Sequence, residues 1–238
     1  MDPAESRFLS FYGLLIRKRD FGEGSSILSV IDRDRGLLEI ASYGSGNEKS
    51  SRREALLLTG LISGVCYRKD PESLPSLKEA RCEMSFDGIT SNYRCLTFIF
   101  LIFEILSMTL EAGGHQPLAI FNELLLTMTK INSGGNPESF SIYFIIRFFA
   151  AEGILPGFDK PDDYSIFMVS LEKPGFRLGN GSIRLIRDIA ASSGPEFMEN
   201  KKISRSVYTN LLEFISAVIR MHCNREINSL SMIEVAMR

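Results

Sequence analysis

Apolar positions change their rhythm along the chain. Up to about residue 87 they come in short runs separated by turn signals. That spacing predicts five strands: Phe11–Arg17, Ser26–Ile31, Leu37–Tyr43, Leu56–Tyr67 and Leu77–Met84. Asp20-Phe21-Gly22-Glu23-Gly24 separates the first pair, and Asp32-Arg33-Asp34-Arg35-Gly36 makes a hairpin turn into the third. Gly44, Gly46 and Asn47 break the chain before the fourth. Asp70-Pro71-Glu72-Ser73-Leu74-Pro75 lies before the fifth. Five short strands in so few residues predict a compact barrel, of which the OB-fold is the common case.

The period then lengthens. Ser91–Glu111, Pro117–Ile131 and Glu138–Ala151 carry apolar residues at helical spacing, closed by Ala112-Gly113-Gly114, Ser133-Gly134-Gly135-Asn136-Pro137 and the Gly153–Pro156 region. Short links between helices predict an antiparallel bundle. Residues 157–180 read as irregular, with a strand-like Ser165–Leu171. Helices resume at Ser182–Ser192, Ser204–Cys223 and Ser229–Met237. Leu211, Leu212, Ile215, Val218 and Ile219 mark one apolar face of the longest. The expected class is α+β. A five-stranded OB-fold barrel (residues 1–87) is followed by an all-helical domain (88–238) carrying the irregular insertion. No internal repeat or low-complexity tract is visible.

The apolar runs are not read as membrane spans. Leu96–Leu110 is about 15 residues long and holds Glu104, against the roughly 20 a span needs. Phe140–Ala151 is shorter and holds Arg147. The amino end, Met-Asp-Pro-Ala-Glu-Ser-Arg, lacks the basic and apolar regions of a signal peptide. The 238 residues are 45% hydrophobic and 24% charged, enough for a real core and too apolar for wholesale disorder. Cys66, Cys82, Cys95 and Cys223 show no CxxC spacing, so neither a zinc knuckle nor a disulfide framework is indicated. A reducing cytoplasm fits this usage.

Motifs of catalysis are missing. There is no GxSxG, Walker A loop, HExxH, or GxGxxG after a strand. Glu104 and Arg147 could form an acid–base pair. Without a nucleophile or metal they read better as an ion pair tying two helices. His115 sits by a Gly-Gly turn. His222 suits a helix C-terminus. Charge is more informative. Net charge is −2 overall; residues 1–60 are neutral, 61–176 carry −5 and 177–238 carry +3. Cations cluster at Arg17-Lys18-Arg19, Arg33 with Arg35, Lys49 with Arg52-Arg53, and Lys201-Lys202 with Arg205. Phe11, Tyr12, Phe21 and Tyr43 lie near the first clusters. OB barrels bind single strands by pairing such cations with phosphates and such aromatics with bases. Interspersed Asp20, Asp32, Asp34 and Glu48 argue instead for solvated turns.

An ordered string of residues tips this balance. Gly13-Leu14-Leu15-Ile16-Arg17, Asp20-Phe21-Gly22-Glu23, Ile27-Leu28, Gly36, Gly44 and Lys49-Ser50 resemble the opening of the bacterial DNA repair protein RecO family. Phe103-Glu104, Phe144 to Pro156 with Glu152-Gly153, Phe214-Ile215 and Ile227-Asn228-Ser229-Leu230 continue the resemblance through most of the chain. It implies an OB-fold joined to a helical domain, without enzymatic turnover or cofactor. It implies binding of single- and double-stranded DNA, strand annealing, and partnership with RecR and the acidic C-terminal tail of single-stranded DNA-binding protein (SSB). Through these it implies RecA loading and a cytoplasmic, nucleoid-associated place. By position, Arg17, Arg19, Arg35, Lys49, Arg52 and Arg53 fall where the family's barrel is basic near DNA. Lys18, Lys201, Lys202 and Arg205 join them as expected DNA-binding residues.

The chain departs from the family in three places. Residues 154–180 hold no cysteine where many members carry a four-cysteine zinc module, so no metal is expected. The family's basic Gly-Ala-Arg-Arg turn is Gly44-Ser45-Gly46-Asn47-Glu48, which shifts weight onto Lys201, Lys202 and Arg205. Ser141-Ile142-Tyr143 replaces basic residues near the expected pocket for the SSB tail. Arg147 and Tyr143 are the candidates there. The alternative is an interaction adaptor of the repair machinery with little direct DNA binding.

Overall fold

The structure is a computed structural model that describes residues 7–22, 24–43, 58–70, 72–111, 118–155, 177–199 and 201–237. Five strands come first: β1 (Phe8–Asp20), β2 (Ser26–Asp32), β3 (Gly36–Ser42), β4 (Leu61–Tyr67) and β5 (Ser76–Met84). They close into a barrel in the order β1-β2-β3-β5-β4. The fold is α+β, with an OB-like five-stranded sheet preceding the helices.

Closure depends on the length of β1. Its first half, from Phe8 to Leu14, pairs with β4; its second half, from Gly13 to Asp20, pairs with β2. A register shift between Leu15 and Arg17 bends the strand where it changes partner. The seam between β3 and β5 is parallel and short, with Ala41 opposite Ser76. Alternation fills the interior with Phe11, Leu15, Leu28, Val30, Leu38, Ile40, Ile62, Cys66 and Leu77.

Two glycines show why the chain needs no side chain at certain points. Gly64 lies opposite Phe11. A Cβ there would come within 2.2 Å of the Glu79 carbonyl oxygen and 2.7 Å of the Phe11 ring. Gly36 opens β3 at φ +76°, a left-handed conformation that other residues adopt at a cost of about 1–2 kcal/mol. The turn before it is organised by Asp32, a buried carboxylate 1% exposed. Asp32 accepts from the amides of Tyr12 (3.0 Å) and Asp34 (3.1 Å).

The helices are α1 (Asp87–Thr90), α2 (Tyr93–Thr109), α3 (Leu118–Asn132), α4 (Pro137–Ala151), α5 (Asn180–Ala191), α6 (Arg205–Cys223) and α7 (Ser229–Ala236), with a 3₁₀ turn at Pro195–Met198. Two compact units result. One comprises Met1–Asp87 and Leu110–Leu125; the other comprises Gly88–Thr109 and Leu126–Arg238. In the first, Tyr12 of β1 meets Phe121 of α3 at 6.2 Å between ring centroids. In the second, α4 is buried nearly all round, as an apolar run from Phe140 to Ala151 interrupted only by Ser141 and Arg147 demands. Its Phe144 and Phe148 rings stack at 6.1 Å. Asn136 starts it by accepting the Ser139 amide, with Pro137 at the first helical position.

The expected strands and helices appear with shifted ends. The predicted fourth strand begins at Leu61 rather than Leu56; Leu58 and Thr59 form a turn, while residues 56 and 57 lie outside the described residues. Most of the expected irregular insertion, residues 157–176 with the strand-like Ser165–Leu171, also lies outside them, as does His115. Glu104 and Arg147 are used separately. Glu104 accepts from the Asn228 and Ser229 amides, and Arg147 donates to the Ala190 carbonyl at 3.1 Å. No helix among the described residues is long and apolar enough to cross a membrane.

Candidate nucleic-acid interface

The barrel's cations fall into two groups because β1 is long. Arg17, Lys18 and Arg19 stand on its second half, opposite Ser29, Leu28 and Ile27 of β2. Arg35 stands in the β2–β3 turn and donates to the Ser10 carbonyl at 2.9 Å, beside the first half of β1. Ser10 and Arg17 are seven residues apart, about 23 Å along a strand.

Their partners differ. Arg19 pairs with Glu39 of β3 at 2.9 Å, and Arg33 with its neighbour Asp34 at 3.0 Å. Arg35 reaches the buried Asp32 at 3.5 Å. The exposed Arg19 and Arg33 pairs contribute about 0–1 kcal/mol each, whereas Arg35 also balances a carboxylate that is itself buried. Arg17 and Lys18 have no ion-pair partner among the described residues. Lys49, Arg52 and Arg53 lie outside the described residues.

Aromatic rings accompany both groups. Phe21 and Tyr43 meet edge to face at 6.0 Å beyond Arg19. At the other end Phe8 and Tyr67 meet at 5.3 Å, Lys78 lies over the Tyr67 ring at 5.5 Å, and Arg33 lies over Tyr12 at 5.5 Å. Phe11, named with the nearby aromatics, is inside the barrel. Phe8, Tyr67 and Lys78 were not singled out from the sequence. Phe8 and Tyr67 are cross-strand neighbours 59 positions apart, so only the register of β1 on β4 joins them.

In the helical unit, Lys201, Lys202 and Arg205 line a cleft of about 630 Å³ with Arg94, Glu138 and Tyr208. Lys201 is held at 2.8 Å by Asp188 and lies 4.0 Å from the Phe197 ring centroid. Lys202 and Arg205 are exposed and have no ion-pair partner among the described residues. Arg205 is the first residue of α6, whose N-cap Ser204 accepts the Val207 amide. Burial, and then the nearby Glu138 carboxylate, push the Tyr208 phenol well above its ordinary value, so it stays protonated. Arg94, at the start of α2, pairs with Glu138 at the start of α4. A second groove of about 410 Å³ runs between α6 and α7, lined by Leu212, Leu230 and Ile233 with Arg205 among its edges.

The two residues expected at an SSB-tail pocket have different fates. Tyr143 is 0% exposed and belongs to the core of the helical unit. Arg147 is half-buried and fixed to the Ala190 carbonyl. The three Cys residues whose thiols shift are all raised by burial, and Cys66 is pushed up to about 12. Such thiols are poor nucleophiles at neutral pH.

Comparison with known proteins supplies the decisive observation. A protein of Dehalococcoides mccartyi named DNA repair protein RecO is 26% identical over 235 residues, covering 94% of this chain and 86% of its own length. The chain is similar to the RecO proteins. RecO of Halalkalibacterium halodurans is 23% identical over 148 residues, covering 62% of this chain and 57% of its own length. RecO of Bacillus subtilis is 19% identical over 144 residues, with 60% and 55% covered. No family model matches the chain. The RecO likeness extends through barrel and helices alike, in agreement with the order of motifs from Gly13 to Leu230.

Proposed function

We propose that the protein is a DNA-binding recombination mediator of DNA repair that works without catalytic turnover. The observation that carries this reading is likeness to RecO over 94% of the chain, on a fold that opens with a closed five-stranded barrel bearing cations and exposed rings. Arg17, Lys18, Arg19 and Arg35 would neutralise phosphates along the barrel, and Lys49, Arg52 and Arg53, which lie outside the described residues, would join them. Lys201, Lys202 and Arg205 would do so from the helical unit. Neutralised backbones can approach closely enough for complementary strands to pair, so annealing needs no chemistry from the protein. RecR, the SSB tail and, indirectly, RecA are the proposed partners. The apolar, acidic SSB tail suits the α6–α7 groove, with Leu212, Leu230 and Ile233 for its side chains and Arg205 for its carboxylate.

A labelled single strand titrated at rising salt tests this directly. Affinity should fall steeply with salt. Reversing both Arg17 and Lys18 to glutamate should lower it and reduce the salt slope by about one for each phosphate that is no longer neutralised. Absent or salt-independent binding would sink the reading.

One observation favours a second reading, an adaptor of the repair machinery. Arg19, Arg33 and Arg35 already have carboxylate partners. In that case the same charge reversal leaves partner binding unchanged, and the wild-type protein does not anneal strands.

A further inference from the structure

The outer face of the barrel at the start of β1 carries features that phosphate neutralisation alone does not require. Phe8 is 58% exposed although it lies in a regular strand. A solvated strand position has no need of an apolar ring. Its ring is set edge to face against Tyr67, directly opposite on β4, at 5.3 Å and 60°. The next strand completes the group through an irregularity. Between Val65 and Cys66 the register of β4 on β5 shifts, so Lys78 enters as an extra residue. Lys78 and Glu79 are therefore both exposed, and the Lys78 ammonium lies 5.5 Å from the Tyr67 ring centroid. Two residues along β1 from Phe8, the Ser10 carbonyl, which lies in the plane of the sheet, receives Arg35. Two further along, Tyr12 lies under Arg33. Two rings and a cation thus gather across β5, β4 and β1.

We infer that Phe8 and Tyr67 form a stacking platform for unpaired bases of a single strand, with Lys78 and Arg35 placed to meet its phosphates. The inference rests on the DNA-binding reading above and adds to it a preference for exposed bases over paired ones. The chemistry follows from the geometry. Every base presents a π face, so exposed rings accept bases of any sequence, whereas bases inside a duplex are already stacked. A cation over Tyr67 draws the backbone to the same spot. Glu79, on the same face, opposes anions and limits binding by charge alone.

The test uses the full chain and two oligonucleotides of equal length and charge, one of thymidines and one of abasic sugars. Wild-type protein should bind the thymidine strand more tightly. Phe8→Ala and Tyr67→Ala should each weaken thymidine binding roughly five- to tenfold and leave abasic binding unchanged. Phe8→Trp provides a readout that does not depend on affinity, because the chain has no other tryptophan. The fluorescence of that variant should be quenched by the thymidine strand and not by the abasic one. Equal weakening on both strands, or an indole signal indifferent to bases, overturns the platform while leaving DNA binding intact. Failure of the wild-type protein to bind either strand overturns the DNA-binding reading itself.

Discussion

Glu104 lies half-buried on α2 in a helix that is otherwise apolar on most sides. Its carboxylate accepts three hydrogen bonds of 2.8 Å, from the Asn228 amide and side chain and from the Ser229 amide. These are donors at the start of α7, where a helix leaves N–H groups unsatisfied. Burial alone would raise its pKa. The hydrogen bonds from Ser229 and Asn228 outweigh burial and hold it below the ordinary glutamate value. A depressed folded-state pKa stabilises the protein above the unfolded value, and that stabilisation is lost as pH falls through the folded one. Glu104→Gln should therefore cost about 1–3 kcal/mol at neutral pH and flatten the acid limb of the stability curve. Denaturant melts between neutral and mildly acid pH check both points. An unchanged acid limb would mean that α7 docks without the charge. Cysteines give another residue-scale test. Cys82 is exposed and Cys66 is fully buried in the barrel with its thiol pushed up to about 12. A maleimide followed by mass spectrometry should label Cys82 in the native protein and Cys66 only after unfolding.

At the scale of elements, the helices follow from local rules and the barrel from long-range ones. Asn136 and Pro137 start α4 where residue type alone placed a boundary. Asn136→Ala removes the acceptor of the Ser139 amide and should cost about 1 kcal/mol by chemical denaturation, with the fold retained. Strand ends were harder to read. The predicted first strand, from Phe11 to Arg17, became Phe8–Asp20, because each half of β1 gains hydrogen bonds from a different neighbour. Hydrophobic alternation reports which residues face inward. It does not report how far pairing extends into polar sequence such as Lys18-Arg19-Asp20. Glu104 and Arg147 show the same limit. The sequence made them noticeable as charges among apolar residues, and their partners lay in segments that periodicity cannot connect.

For the whole molecule, a net charge of −2 conceals cations gathered in each unit. That uneven distribution makes salt the sensitive variable. The Arg17, Lys18 double reversal tests charge, and the Phe8 and Tyr67 variants test stacking, so the two contributions separate in one titration series. The expected cation clusters were legible as runs of Lys and Arg. Which of them retained free charge was not, since the carboxylates that occupy Arg19 and Lys201 come from β3 and α5.

The order of strands and helices, the inward positions of the barrel and the cationic clusters were all contained in the residues themselves. Each depends on spacing over a few positions, which backbone geometry converts directly into a face. Closure of the sheet, the meeting of Phe8 with Tyr67 and the capture of α7 by Glu104 were decided only by the folded chain. Such pairings join positions 59 and 124 apart in sequence, and they form where burial and hydrogen bonding outweigh the entropy of closing long loops.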